Sequence, residues 1–164
     1  MFPHEFAPHA VSQEQARKKG ALRPLRAEMV HRRFAEVQLF AGCSKRELRL
    51  LTKIAVVEPR AAGATLVTEG QAGACAYVIL QGTCNVLRKG RRVGKVHEGG
   101  VVGELSMLNR APRNATVVAE TELEVAILER RDFLALLEES HSICRKLLES
   151  LAARVQELDA RTTA

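Results

Sequence analysis

A glutamate and an arginine stand nine positions apart in GELSMLNRAPRNAT, residues 103–116. The ELSML portion indicates a short helical turn, whose first N–H groups lack partners and favour an anion. The planar guanidinium of Arg113 suits phosphate, and the carboxylate of Glu104 accepts hydrogen bonds from hydroxyls. An anion pocket with an acceptor beside it suits a sugar phosphate. The residues alone leave a second interpretation open, in which a Glu104–Arg113 ion pair braces a loop.

Other chemistries find little support in the residue types. The cysteines, Cys43, Cys75, Cys84 and Cys144, never form CxxC, and the five histidines are scattered. Zinc sites and disulfide frameworks need closer pairs, so we expect small buried or inert thiols. An enzyme of the cupin type would need clustered histidines, whereas His97 stands alone. We therefore predict no catalytic residue, no metal ligand and no cofactor.

Length and composition favour one domain of 164 residues with an aliphatic core, since 46% of the residues are hydrophobic and 4% aromatic. No apolar run approaches the roughly 18 residues of a membrane span, and the N-terminus has no secretory pattern. We expect a soluble cytoplasmic protein. The net charge of +6 comes from residues 1–60, with 12 basic against 6 acidic residues. That basic segment could contact nucleic acid or an acidic partner, or be a solvated helix face.

The order of patterns predicts a mainly β domain between helices. Residues 1–25 show little periodicity and are expected to be flexible. Residues 26–53 carry an amphipathic stripe and then a capping box formed by Ser44 and Glu47, which predicts two helices. Residues 54–129 contain short β-rich runs between glycine turns, typical of an antiparallel sandwich or barrel.

Residues 130–160 return to helical periodicity. Leu148, Leu151, Val155 and Leu158 follow a 3-4-3 spacing, which indicates a short coiled coil or a lid over the barrel. We expect this seam to pack on its own domain, with a homodimer through the last helix as the alternative. The chain ends six residues after Leu158, so we expect no helix-turn-helix and no direct DNA binding.

The stretch 102–116 resembles the phosphate-binding cassette of cyclic nucleotide-binding domains, in which G-E-L-A-L is followed by P-R-x-A-T. The matching residues are Val102, Gly103, Glu104, Leu105, Ser106, Pro112, Arg113, Asn114, Ala115 and Thr116. The resemblance covers about residues 37–160. It implies an antiparallel, jelly-roll-like β-roll of about eight strands, N-terminal helices, and C-terminal hinge and lid helices.

The resemblance also implies a role for each matched residue. Glu104, with the Gly103 backbone, would hold the ribose 2′-hydroxyl, and Arg113 would pair with the cyclic phosphate. The backbone N–H groups of Ser106 and Asn114 would help to hold the phosphate. The other implied ligand-binding residues are Leu105, Ala115, the walls Val86 and Val102, and the lid residues Arg154 and Leu158.

This sequence departs from the family pattern at three positions, of which only the third affects the choice of ligand. Val102 replaces a frequent aromatic residue and Ser106 a frequent alanine. Asn114 stands where threonine or serine often supports cGMP, so we expect cAMP, with cGMP still possible. The resemblance implies a sensor that changes its helical flank and acts through an unknown protein effector. The alternative is an interaction module that keeps the fold but has lost or changed its ligand.

Overall fold

The structure is a computed structural model that describes residues 24–163, so residues 1–23 of the predicted flexible segment lie outside the described range. Its helical elements are α1 (Pro24–Glu36), a 3₁₀ turn (Gln38–Phe40), α2 (Lys45–Ile54), α3 (Glu104–Asn109), α4 (Arg130–Glu139) and α5 (His141–Thr163). Its strands are β1 (Val56–Arg60), β2 (Thr65–Val67), β3 (Cys75–Gln81), β4 (Cys84–Arg88), β5 (Arg91–Val96), β6 (Val101–Val102), β7 (Thr116–Ala119) and β8 (Leu123–Glu129).

The eight strands of the described range form two four-stranded antiparallel sheets, in the orders β1-β8-β3-β6 and β2-β7-β4-β5. The prediction of an eight-stranded antiparallel roll with helical flanks is therefore confirmed. Strand β6 pairs with β3, and β7 pairs with β4 in the other sheet. The segment between β6 and β7 crosses from one sheet to the other, and it is the predicted cassette.

Strand β3 separates two hydrophobic cores. Its six residues Cys75–Leu80 are all buried, because successive side chains of a strand point to opposite faces. Ala76, Val78 and Leu80 join the helix-side core, whereas Cys75, Tyr77 and Ile79 join the core inside the roll. Every β3 side chain before Gln81 therefore fills one of the two cores.

The N-terminal helices form as the pattern indicates. Phe34 is fully buried and stacks on Phe40, with ring centroids 5.9 Å apart. The predicted capping box is confirmed, since the Ser44 hydroxyl accepts from the Glu47 N–H and the Glu47 carboxylate accepts from the Ser44 N–H. Arg33 fastens α1 to the sheet by donating to the Leu80 carbonyl at 3.0 Å.

The last helix packs through a different face from the one we expected. Ile143 and Leu147 are buried in the helix-side core, and Leu151 packs against it. Leu148, Val155 and Leu158 remain 61%, 64% and 54% exposed. The expectation that the whole 3-4-3 seam packs on its own domain is thus wrong. The stripe of Ile143, Leu147 and Leu151, spaced at i, i+4 and i+8, packs against the domain instead.

Candidate functional site

The site is built around the short helix α3, which begins directly after β6. Gly103 precedes the helix with φ of +81°, a left-handed conformation that favours glycine. The first turn, residues 104–106, leaves its N–H groups without intrahelical acceptors. Met107 anchors the helix in the helix-side core, and Arg130 donates to the Met107 carbonyl.

Arg113 is buried and bonded to backbone carbonyls. The residue is 6% exposed. Its guanidinium donates through Nη1 to Gly103 O at 3.2 Å and through Nη2 to Cys75 O at 2.6 Å. Its main chain is also fixed, since Arg113 N donates to Gln71 O and Arg113 O accepts from Gly70 N. The β2–β3 loop therefore holds the backbone of Arg113, whereas the first residue of β3 and Gly103 hold its side chain.

Two glycines make room for this guanidinium. A Cβ atom added to Gly73 or to Gly103 would collide with the Arg113 side chain. Sequence reasoning missed Gly73 and Cys75 as part of the site. The only available signal was the glycine spacing in EGQAG before β3, which indicates a tight loop but not what approaches it.

Glu104 pairs with the last helix rather than with Arg113. Its Oε1 accepts from Arg154 Nη1 at 2.9 Å, and the Glu104 side chain is only 14% exposed. In the described part of the chain, the alternative Glu104–Arg113 pair does not form. The structure thus joins two predicted site residues, Glu104 and Arg154, that lie 50 positions apart.

The remaining predicted residues occupy different surroundings. Val102 and Ala115 are buried, Val86 is half-buried against the roll core, and Ser106 is 7% exposed. Leu105, Asn114 and Leu158 are exposed. Leu158 lies one turn beyond Arg154 on α5 and is 54% exposed.

A cavity of about 290 Å³ adjoins the Glu104–Arg154 pair. It lies between the end of α1, the β5–β6 turn, α3 and α5. Its lining residues are Glu36, Gln38, Leu39, Gly99, Gly100, Val101, Glu104, Ser150, Leu151 and Arg154. Glu104 and Arg154 therefore border an open space on the helical side, whereas Arg113, Val86 and Val102 do not line it.

Tyr77 contributes a buried hydroxyl to the interior of the roll. Burial raises the pKa of Tyr77 well above its ordinary value, and the neighbouring Cys75 raises it further, while Arg60 and Arg113 act in the opposite direction. Burial also raises the pKa of the Cys84 thiol to about 11. Both groups therefore stay neutral near pH 7 and leave Arg113 as the charged group of the interior.

Within residues 24–163, no group of three or more His, Cys, Asp or Glu side chains is arranged to hold a metal ion. His97 is exposed on the β5–β6 turn. In the same range, the helices are too short or too polar to cross a membrane.

Comparison with known proteins agrees with the fold and the cassette described above. The family model described as "Cyclic nucleotide-binding domain" matches residues 58–140. Over 84 residues, half of this chain, the sequence is 42% identical to a cAMP-dependent protein kinase regulatory subunit of Yarrowia lipolytica. Over 100 residues, 61% of this chain, it is 32% identical to a cGMP-dependent protein kinase of Toxoplasma gondii. The chain spans only 22% and 10% of the lengths of these two relatives.

Among solved structures, the regulatory domain of Toxoplasma gondii PKA with cAMP is similar, with a TM-score of 0.66 and 28% identity. The match covers 71% of this chain and 46% of that one. The family model covers the roll from residue 58, within β1, through α4, including the cassette between β6 and β7. By that match, which spans half of its length, the chain belongs to the cyclic nucleotide-binding domain family.

Proposed function

We propose that this domain binds cAMP through its cassette and passes the binding event to a protein effector through α5. The observation that carries the proposal is the environment of Arg113. Its buried guanidinium is bonded to two carbonyl oxygens, and none of the ion pairs within residues 24–163 involves it. A buried cation without a counter-ion is costly, and a bound phosphate would supply the missing charge.

The ribose would meet Glu104. Its carboxylate is mostly buried and is already oriented by Arg154. A carboxylate has about four lone-pair sites, so it can accept from a ribose hydroxyl while it keeps the bond to Arg154. This arrangement supports the role that the family resemblance implies for Glu104.

The preference for cAMP rests on Asn114 and on the relatives. Asn114 is exposed in the cassette and replaces the threonine or serine that often supports cGMP. The chain resembles both a cAMP-dependent and a cGMP-dependent kinase, with higher identity to the former. The ligand assignment is therefore a proposal to be tested with both nucleotides.

The Glu104–Arg154 pair also supports a route of signal transfer. It is a direct bond between the cassette and α5. A ligand that contacts Glu104 would bind more favourably with α5 in one position than in another. Only such a difference in contacts shifts the equilibrium between two positions of a helix. We propose that the effector is a separate protein or another part of a longer chain. We also propose that this domain itself catalyses no reaction.

Calorimetry with cAMP and cGMP side by side tests the site. Arg113→Ala should lose roughly 2–5 kcal/mol of binding, about 30-fold or more in Kd. Arg113→Lys keeps the charge but lacks the planar fork, so it should bind with intermediate affinity. Arg131→Ala, an exposed arginine on α4, is the matched control and should bind like wild type.

The outcomes separate the two candidate functions. Wild type that binds neither nucleotide would favour an interaction module that has lost or changed its ligand. Unchanged affinity in Arg113→Ala, with a native melting curve, would overturn the site assignment while leaving the ligand in place.

A further inference from the structure

The hairpin formed by β4 and β5 concentrates positive charge on the roll. In the sequence RKGRRVGK, residues 88–95, five of the eight residues are Lys or Arg and none is acidic. All five of these side chains are exposed: Arg88, Lys89, Arg91, Arg92 and Lys95. Residues 61–164 contain 13 basic and 13 acidic residues. The β4–β5 hairpin is therefore a strongly basic stretch in a region that is neutral as a whole.

The tip of the hairpin is a tight two-residue turn. Lys89 and Gly90 both have positive φ, of 51° and 77°. Turns of this kind match the twist of the two strands that they join. The Lys89 N–H donates to Glu69 Oε2 at 3.1 Å, which fastens the tip to the loop between β2 and β3. The cations near the tip are therefore held at one place on the roll.

Hydrogen bonds from the same loop connect the hairpin to the cassette. The Glu69 N–H donates to Thr116 Oγ1 at 2.9 Å, and the Gly70 N–H donates to the Arg113 carbonyl at 2.8 Å. On β4 itself, Leu87 pairs with Thr116. The basic end of the hairpin thus lies beside the segment of the cassette that carries Arg113.

The two strands of the hairpin also contain the proposed wall of the ligand pocket. Val86 pairs with Gly94 of β5 and packs against the core inside the roll. Successive side chains of a strand point to opposite faces, so Arg88 lies on the same face of β4 as Val86 and closer to the tip. A ligand beside Val86 would have the basic end of the hairpin next to it.

Neighbouring carboxylates cancel only part of the hairpin's charge. Lys95 pairs with Glu120 at 2.9 Å. The hydrogen bond from Lys95 lowers the pKa of Glu120, and the charge of Arg92 lowers it further. Glu69 is the carboxylate bonded to the Lys89 N–H. Five cations against these two carboxylates leave a net charge of +3.

We propose that the β4–β5 hairpin steers anionic cyclic nucleotides toward Arg113 and so increases the rate at which they bind. This inference rests on the proposed function. A surface of one charge beside a site raises the local concentration of an oppositely charged ligand and speeds its association by about 10- to 1,000-fold. The hairpin cations act on the approaching ligand and not through contacts in the bound state. The association rate should therefore depend on them, whereas the dissociation rate should not.

Stopped-flow mixing of the full chain with cAMP that carries a fluorophore at C8 measures the two rates separately. The triple variant Arg88→Gln, Arg91→Gln, Arg92→Gln removes three exposed charges. At about 0.1 M salt, where charges act over about 10 Å, its association rate should be about 3-fold or more below that of wild type, with an unchanged dissociation rate. At about 1 M salt, where this distance is about 3 Å, the two proteins should associate at the same rate.

A second triple variant controls for net charge. Arg46→Gln, Arg49→Gln, Lys53→Gln removes the same charge from exposed positions of α2, a helix that packs in the helix-side core. It should associate like wild type at about 0.1 M salt. The association rate of wild type should also fall with added salt more steeply than that of the hairpin variant, a comparison that does not depend on the control.

The outcomes distinguish this inference from the proposed function. An unchanged association rate in the hairpin variant would leave its cations only the role of keeping other strands away from the edge strand β5, and would overturn the inference. A loss that appears in the dissociation rate would overturn it as well, because it would show contact with the bound ligand. In both cases the proposed function stands. Wild type that binds neither cAMP nor cGMP in calorimetry would overturn both.

Discussion

At the scale of single residues, Glu104 and Arg113 of the cassette are held by opposite kinds of partner. Arg113 is fixed by the carbonyls of Gly103 and Cys75. Glu104 is held by a cation from α5. The proposed phosphate-binding group is therefore held by the backbone of the roll, whereas the proposed ribose acceptor depends on where the last helix lies.

Glu104→Gln should reduce the preference for the ribose 2′-hydroxyl. The amide keeps an acceptor but loses a charge-assisted bond worth roughly 1.5–3 kcal/mol. Wild type should therefore bind 2′-deoxy-cAMP about one to two orders of magnitude more weakly than cAMP. In the variant the two ligands should bind almost equally, as measured by competition against labelled cAMP.

Glu138→Gln, an exposed change on α4, serves as the control and should keep the wild-type preference. If Glu104→Gln discriminates against the deoxy analogue as strongly as wild type, another group binds the ribose.

At the scale of elements, α2 and α5 are joined through one carboxylate with two functions. Glu47 completes the capping box of α2 and also accepts from Lys146 of α5, 99 positions away. Burial alone would raise the pKa of Glu47, but the hydrogen bonds from Lys146 and Ser44 outweigh it and lower this pKa to about 2. An ion pair therefore fastens the start of α2 to the first turns of α5.

Lys146→Met should destabilise the domain by roughly 1–3 kcal/mol at pH 7, since it removes a charge-assisted bond from a mostly buried carboxylate. The folded pKa of Glu47 lies below its ordinary value of 4.5, so its contribution is complete above that pH and is lost as pH falls toward about 2. Urea unfolding at several pH values should show a gap between wild type and variant that is widest at pH 7 and narrows in acid.

Arg145→Met removes an exposed i,i+4 pair with Glu149 from the same helix and should cost well under 1 kcal/mol. A gap that persists unchanged at the acid end would mean that Glu47 is not the group responsible.

At the scale of the whole molecule, we expect the two sheets to act as a fixed frame and the end of the C-terminal helix to respond to ligand. Strand β3 fills both cores, and β8 pairs on one side with β3 and on the other with β1. From Val155 to Thr162, α5 has only exposed side chains. Movement of this end of α5 would therefore disturb less buried surface than a change within the roll.

Hydrogen exchange with saturating cAMP should change in the cassette and in α5 more than in the strands. New protection is expected in residues 102–116 and in residues 150–159, where closure over the base adds contacts absent without ligand. Residues 64–88 should change little, apart from the pocket wall near Val86. Protection limited to the cassette would show that α5 is not a lid, even if binding is real.

Local rules predicted much of this architecture. The capping box at Ser44 and Glu47 involves residues three apart, and the roll follows from alternation and glycine turns, so both are visible in the sequence. The face on which α5 packs was not predictable, because two apolar stripes share Leu151 and only the tertiary surface selects one.

The cassette was recognised from its motif, but the residues that hold Arg113 and Glu104 in place were not predicted from the sequence. Gly73 accommodates Arg113 from a loop 40 positions earlier, a close approach that no local spacing encodes. The partner of Glu104 is likewise set by where α5 crosses the cassette, which depends on packing of Ile143 and Leu147 far from the motif.

The location of Tyr77 has an optical consequence. The chain contains one tyrosine and no tryptophan, so its near-ultraviolet fluorescence comes from a single phenol. That phenol is 4% exposed, lies in the core inside the roll, and is near enough to Arg113 for the guanidinium to influence its ionisation. When it is excited at wavelengths that phenylalanine does not absorb, the unlabelled protein therefore emits from the interior beside the cassette, with no second tyrosine and no tryptophan to obscure the signal.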